Sequence, residues 1–277
     1  MKTLKKIICK EYKVKLDKTC IMGILNVTPD SFSDGGLFSD VNTAVDHAKT
    51  MVAQGADIID VGGESSRPGS QVVSEKEELA RVLPVIRRLV RELKIPISID
   101  TYKPTVAKEC LKEGVHLIND ITGLNDPKMA KLAAEYNVPV VIMHMKGTPK
   151  IMQENPVYGD VVAEVKTFLK ERVALAHNAG VVDVIVDPGI GFGKTLKHNL
   201  EIIKRLGEFT DLGCPLLVGP SRKSFIGQLT GFPANDRIEG TLAVVAVAIM
   251  NGADIVRVHD VKECKRVVQV VDAIRGA

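Results

Sequence analysis

The chain has 277 residues, 45% of them hydrophobic and 26% charged, a balance too apolar for disorder and too rich in charge for a membrane protein. Its 37 Lys and Arg against 34 Asp and Glu leave a net charge of +3, with no Trp and four Tyr, so neither nucleic acid nor a membrane is expected as a partner and any strong positive field must be local. The longest apolar run, Leu242 to Met250, falls far short of the roughly 20 residues that cross a bilayer, and the Lys-rich start has no signal-peptide core, so a cytoplasmic protein is expected.

Met1 to Lys18 reads as a hairpin-like lead-in. Eight short runs rich in Val, Ile and Leu then follow in chain order: Cys20–Asn26, Asp57–Val61, Pro96–Asp100, Leu117–Asp120, Pro139–Met143, Val184–Asp187, Pro215–Val218 and Ile255–His259. Each leads into a turn cluster and a longer stretch with helical spacing, the pattern of repeated βα units around a parallel sheet covered on both faces. Between them, Ser74 with Glu77 three residues on is a capping-box signature opening the apolar positions Leu79, Val82, Leu83, Ile86, Leu89, Val90 and Leu93. Pro104 and Pro127 suit first helical turns, and Gly55, Gly114, Gly180 and Gly252 fall where a helix ends before a strand. Eight units in about 250 residues fit a closed (β/α)8 TIM barrel, read here as one domain over residues 1–277 with the lead-in covering its bottom. Pro149 to Asp160 is a long irregular stretch with no legible role.

The five cysteines (Cys9, Cys20, Cys110, Cys214, Cys264) make no C-x-x-C pair, and the six histidines make no H-x-x-x-H or His/Cys cluster. Reduced, mostly buried thiols and no zinc site are the expectation.

In such a barrel the active site lies at the C-terminal ends of the strands, and nearly every run here ends in a polar residue. These are Asn26; Asp60 with Glu64; Asp100; Asn119 with Asp120; His144; Asp187; Ser221 with Arg222 and Lys223; and Arg257, His259 and Asp260. Any one of them suits a cap or turn, but eight ends converging on one mouth imply a polar ligand. Arg257 and His259 are two apart and so share a face; turned inward they offer donors to a phosphate or diphosphate, and turned outward Arg257 would make an exterior salt bridge. Gly219–Ile226 adds a second cationic cluster, with Ser221, Lys223 and Ser224 as a carboxylate or phosphate cradle. Asp187–Thr195 fits neither the Walker pattern, since Pro188 stands where glycine is required, nor G-x-G-x-x-G. It reads as a mobile, small-residue loop with Phe192 as a stacking face. The polar loops Val27–Gly36 and Gly62–Gly69 are candidate lids.

Seven pieces in this order resemble the dihydropteroate synthases of folate biosynthesis: Ile24–Gly36, Asp60–Gly69, Ser98–Thr101, Asn119-Asp120, Asp187–Phe192, Ser221–Phe225 and Arg257–His259. The resemblance implies condensation of 6-hydroxymethyl-7,8-dihydropterin diphosphate with 4-aminobenzoate to 7,8-dihydropteroate and diphosphate, with Mg2+, in a homodimer. It makes Asn26 the metal ligand, places Asp100, Asn119, Asp187 and Lys223 in a pterin pocket, and makes Arg257 and His259 diphosphate ligands. It assigns Ser66, Arg67, Phe192, Ser221 and Ser224 to diphosphate or aminobenzoate, adds Met143 and Gly219 to the substrate contacts, and counts Asp34 of the first lid with Asp100, Lys223, Arg257 and His259 as catalytic. The charges suit a dissociative substitution, in which cations receive the departing diphosphate and a buried carboxylate favours the pterin methylene cation. A pterin-dependent methyltransferase domain and a non-catalytic pterin-binding homologue are the alternatives.

Overall fold

The computed structural model describes residues 6–28, 36–65, 69–148 and 151–277. The lead-in is an antiparallel hairpin of β1 (Lys6–Cys9) and β2 (Tyr12–Lys15), in register from Lys6 opposite Lys15 to Cys9 opposite Tyr12. Its alternation sends Ile7 and Cys9 inward, while Lys6 and Ile8 face solvent.

Eight parallel strands follow: β3 (Cys20–Asn26), β4 (Ile58–Gly62), β5 (Ile97–Asp100), β6 (Leu117–Asp120), β7 (Val140–Met143), β8 (Val184–Asp187), β9 (Leu217–Val218) and β10 (Ile255–Val258). Each lies within the run expected for it or passes it by one residue. They pair in the order β8-β7-β6-β5-β4-β3-β10-β9, and a parallel bridge between Val186 and Leu216 closes the ring. The outer helices are α1 (Gly36–Ala53), α2 (Glu75–Glu92), α3 (Pro104–Lys112), α4 (Pro127–Glu135), α5 (Val161–Asn178), α6 (Leu196–Lys204), α7 (Ser224–Thr230), α8 (Ile238–Met250) and α9 (Val261–Gly276).

Two apolar cores result from the period of two along each strand. Ile21, Leu25, Ile59, Val61, Ile99, Ile142, Val186 and Val256 face the helices. The alternate residues Cys20, Met22, Ile58, Leu117, Val141, Ile185, Leu217 and Ile255 face the barrel axis at the N-terminal ends of the strands, where Ile7, Cys9 and Leu16 of the lead-in close over them. The bottom is therefore a sealed apolar plug, as expected, and all five cysteines are free and buried.

Helix punctuation follows the local chemistry. Ser74 caps α2 by accepting from the Glu77 amide at 3.2 Å, which is one half of the expected capping box. The reciprocal pair forms at Thr195 and His198, whose imidazole takes the place of a Glu side chain. Pro104 and Pro127 are the first residues of their helices, and Gly55, Gly114, Gly180 and Gly252 all have positive φ. On α8, Val245, Ala248 and Ile249 are buried while Val247 and Met250 are exposed; on α9, Val268 and Val271 are buried while Val270 and Ile274 are exposed. No helix among the described residues is long and apolar enough to cross a membrane.

Candidate active site

The axis-facing register that is apolar at the bottom turns polar toward the C-terminal ends. Asp60 pairs with Ser98, Asp100 with Asn119, and Met143 with Asp187, while Arg257 sits opposite Met22. The inward positions of β4, β5, β6, β8 and β10 thus bring Asp60, Asp100, Asn119, Asp187 and Arg257 to one mouth.

Arg257 organises that mouth. Its Nε donates to Asp60 Oδ2 at 2.6 Å and its Nη2 to Asp100 Oδ2 at 2.6 Å, and Asn119 Nδ2 donates to the same Asp60 oxygen at 2.9 Å. The exterior salt bridge considered for Arg257 is overturned, because the side chain turns into the barrel, where two carboxylates hold it and Nη1 lies outside both ion pairs. Asp60 is fully buried and its Oδ1 has no hydrogen-bond partner among the described residues, like the neighbouring Ser98 hydroxyl. Asp60, a polar strand end in the sequence, thus joins the site residues expected there. A signal was present: one carboxylate within Ile58-Ile-Asp-Val61 and one guanidinium within Ile255-Val-Arg-Val258 are each untenable in an apolar strand without the other.

Burial pushes the Asp100 carboxyl up to about 7, against the pull of Arg257 and with the push of Asp60. Burial likewise raises Asp187 to about 6, although the Gly189 amide donates to it at 2.7 Å and Lys223, Lys194 and Arg257 favour its charged form. A deep patch of carboxylates whose protons leave near neutrality suits the ring nitrogens of a flat heterocycle. Beside it Ile121, Met143, Met152 and Phe192 form an apolar wall with Tyr102 and Met145 packed against it, so Met143 and Phe192 lie where a ring would stack.

His259, one residue past β10, links a second group. Its Nδ1 meets the Ser221 hydroxyl at 2.9 Å, its backbone N–H donates to the same oxygen at 3.2 Å, and its Nε2 lies 3.4 Å from Asn26 Nδ2. Arg222, at φ +58°, turns the chain here; its guanidinium holds Asp260 and its amide donates to Thr241. The turn sends Lys223 toward the mouth, where Nζ lies 3.8 Å from the centre of the Phe192 ring. Gly219 packs against Arg257, where an added Cβ would sit 3.8 Å from that of the arginine. Ser224 is the exposed first residue of α7. Asp34, Ser66 and Arg67 lie outside the described residues.

The segment after β8 is not the mobile loop its glycines suggested. Lys194 is buried beneath it and donates to the carbonyls of Gly189 at 2.9 Å, Phe192 at 2.9 Å and His144 at 3.3 Å, with His144 Nδ1 3.0 Å away. Burial pulls Lys194 down to about 7 and, with Lys194 beside it, takes His144 down to about 2, so His144 is a neutral acceptor for the lysine. Gly189, at φ +66°, lies so close that a Cβ there would fall 1.9 Å from the His144 carbonyl oxygen. The stretch without a legible role braces this loop from outside: Gln153 donates to Gly191 O and Tyr158 to Gly193 O, both at 2.8 Å. Of the other strand ends, Asp120 is a turn former, accepting from Thr122 and the Leu124 amide. Glu64 belongs to a separate buried cluster with Tyr102, Lys103 and Glu78.

The residues present fit Mg2+ in a limited way. Asn26 turns its Nδ2 to His259, and its Oδ1 would lie 3.8 Å from a Cβ placed on Gly62 at the rim, so one amide oxygen is available as a hard ligand. No group of three or more His, Cys, Asp or Glu able to hold a metal occurs among the described residues. A single amide oxygen would suit a hard cation that keeps most of its waters.

The family described as pterin binding enzyme matches residues 22–259 of the chain. A dihydropteroate synthase of Escherichia coli K12 is 48% identical over 274 residues, covering 98% of this chain and 97% of its own. Among solved structures, a Yersinia pestis dihydropteroate synthase in complex with a sulfonamide drug superposes with a TM-score of 0.93 at 43% identity, covering 99% of this chain and 100% of that one. A Xanthomonas albilineans dihydropteroate synthase with 4-aminobenzoic acid gives the same TM-score at 42% identity and the same coverage.

Proposed function

The chain belongs to the dihydropteroate synthases, transferases within the pterin binding enzyme family, and from that premise we propose how its own residues divide the work. The observation that carries the proposal is the Asp60–Arg257–Asp100 arrangement with Asn119 and Asp187 at the floor of the mouth. Asp100, Asn119 and Asp187 take the donors and acceptors of the pterin ring of 6-hydroxymethyl-7,8-dihydropterin diphosphate. Arg257 orients Asp100 through Nη2 and leaves Nη1 for the diphosphate, which His259, set by Ser221 and Asn26, also receives. Asn26 would hold Mg2+, which when bound would supply charge neutralisation for the leaving group.

The 4-aminobenzoate nitrogen attacks the pterin methylene after the C–O bond has begun to break, diphosphate leaves with that oxygen, and the proton lost from the new secondary amine passes to solvent or to the departing diphosphate. Support comes from the charge layout: cations at the rim where the leaving group collects charge, carboxylates at the floor where the ring carries cation. Lys223 and Phe192 flank the position of the arylamine, a placement supported by their 3.8 Å contact at the mouth. Asp34, Ser66 and Arg67 complete the site from the two lids.

The proposal includes a cytoplasmic homodimer. The apolar side chains exposed on three adjoining elements support the pairing: Leu229 and Phe232 at α7, Val247 and Met250 on α8, and Val270 and Ile274 on α9. The free thiols fit a reducing compartment.

The test is diphosphate release from purified protein given the pterin diphosphate and Mg2+, with and without 4-aminobenzoate. Arylamine-dependent release yielding dihydropteroate is expected, and tight pterin binding without turnover would sink the reading. In Asn26→Ala the Mg2+ concentration for half-maximal rate rises; an unchanged requirement removes Asn26 as the ligand.

A further inference from the structure

The turn after β8 is folded over one buried ammonium. Lys194 is 3% exposed, and its three protons are shared among four neutral acceptors: the carbonyls of Gly189, Phe192 and His144, and His144 Nδ1. The carbonyls of the turn are divided between its two sides. Those of Gly189 and Phe192 point in to Lys194, while those of Gly191 and Gly193 point out to Gln153 and Tyr158. Its amides are paired as well: Gly189 donates to Asp187 Oδ1 at 2.7 Å, Phe192 to the Gly189 carbonyl at 3.1 Å, and Gly191 to Asn199 Oδ1 at 2.6 Å.

Three side chains of the mouth depend on this turn. Asp187 accepts from its first amide, Phe192 belongs to it, and Lys223 packs on it. The Lys223 Nζ lies 3.8 Å from the centre of the Phe192 ring, and a Cβ added to Gly191 would fall 2.9 Å from Lys223 Cδ. A buried ammonium bonded only to neutral acceptors is costly, because they repay part of its desolvation and none of its charge. A neutral donor would satisfy the same carbonyls at lower cost, so the charge itself has a use, and Asp187 is the carboxylate it acts on. Burial lowers Lys194 to about 7 while Asp187 favours its charged form, and burial raises Asp187 to about 6 while Lys194 favours its ionised form. Asp187 faces Lys223, Lys194 and Arg257; Lys194 faces Asp187, Lys223 and the neutral His144.

We propose that Lys194 is a positioning residue for the synthase reaction: from beneath the turn it fixes the Gly189–Phe192 backbone, and with it Asp187, Phe192 and Lys223, and it turns a positive charge toward the Asp187 carboxylate. It rests on the reading that Asp187 meets the pterin and that Phe192 and Lys223 flank the arylamine.

The test combines kinetics against pH with amide exchange on the full-length protein. Lys194→Met lowers kcat/KM for 4-aminobenzoate about 10- to 100-fold. The acidic limb of kcat/KM for the pterin diphosphate moves to higher pH, because Asp187 has lost a neighbouring cation. Amides of residues 189–194 exchange at least about tenfold faster, while those of β4 to β6 keep their protection. Gln153→Ala removes an outer brace and no charge, so it lowers kcat/KM for 4-aminobenzoate about 3- to 10-fold and leaves the limb in place. A limb unmoved in Lys194→Met, one that moves equally in Gln153→Ala, or unchanged exchange over 189–194 overturns the proposal. A limb that persists unaltered in Asp187→Asn would instead remove Asp187 from the pterin reading, and the exchange and 4-aminobenzoate results would still decide the clamp. If Lys194→Met does not fold, His144→Phe leaves Lys194 its three carbonyls and takes away the fourth acceptor. It then gives the same three changes, with a loss in kcat/KM of about 3- to 10-fold, and their absence overturns the proposal.

Discussion

Replacing Arg257 with methionine removes the cation while keeping most of the side-chain volume, and its cost follows from the two carboxylates left behind. The Arg257 side chain is 19% exposed, Asp100 13% and Asp60 0%. Asp60 keeps one donor, Asn119, on the oxygen that both now share, and its other oxygen is already without a partner. Breaking a buried ion pair from one side costs about 3–5 kcal/mol, a large share of the roughly 5–15 kcal/mol that holds a domain folded. The cost depends on pH. Asp100 stands at about 7 with Arg257 opposing the rise, well above the roughly 3.9 of an unfolded aspartate. The folded state therefore binds the extra proton, and Asp100 withdraws stability as pH climbs from about 4 to about 7. Without Arg257 its pKa climbs further and the withdrawal continues to higher pH, so the penalty of the variant grows as pH rises through 7. Urea unfolding at pH 6 and pH 8.5 measures this, with Asp60→Asn combined with Arg257→Met recovering at least about 1 kcal/mol at the higher pH. A penalty below about 1 kcal/mol at pH 8.5, one that does not change with pH, or strict additivity in the double variant would refute the reasoning.

Because Asp187 and Asp100 lose their protons at about 6 and about 7, kcat/KM for the pterin diphosphate should rise over that interval. A pH profile shows it, and an acidic limb that persists unaltered in Asp100→Asn would remove Asp100 from it. Gly189→Ala, which places a Cβ 1.9 Å from the His144 carbonyl oxygen at φ +66°, should cost about 3 kcal/mol or more, read as a fall in Tm; a change within 1 °C would mean the loop relaxes freely. Ile7→Ala at the sealed bottom should cost about 2–5 kcal/mol and leave both KM values unchanged, since the hairpin lies at the end of the barrel opposite the site. A shifted KM would show the two ends to be coupled.

The barrel was readable along the chain because its signals are local. Runs such as Pro139–Met143 and Val184–Asp187 declare themselves by consecutive β-branched residues, and Pro104, Pro127 and Gly114 mark the joints by their own backbone limits. The hairpin-like lead-in over Met1 to Lys18 and the polar strand ends at Asn26, Asp100, Asn119, Asp187, Arg257 and His259 are legible in the sequence itself. The period of two even placed Arg257 and His259 on a common face.

Other features needed the closed ring, because they join residues far apart in sequence. The Arg257 bonds to Asp60 and Asp100 span 197 and 157 positions; a charge in each apolar strand hints that a partner is needed, but only the closed ring shows which carboxylates hold the guanidinium. The loop after β8 looked mobile because glycine advertises freedom; Lys194, reaching back 50 positions to His144, removes that freedom. The same holds for Lys103, which the closed ring places against Glu64, Val73 and Glu78. Elements follow from steric preferences within a few residues, whereas the pairing of buried charges is a property of the three-dimensional arrangement, where desolvation makes each partner's position decisive.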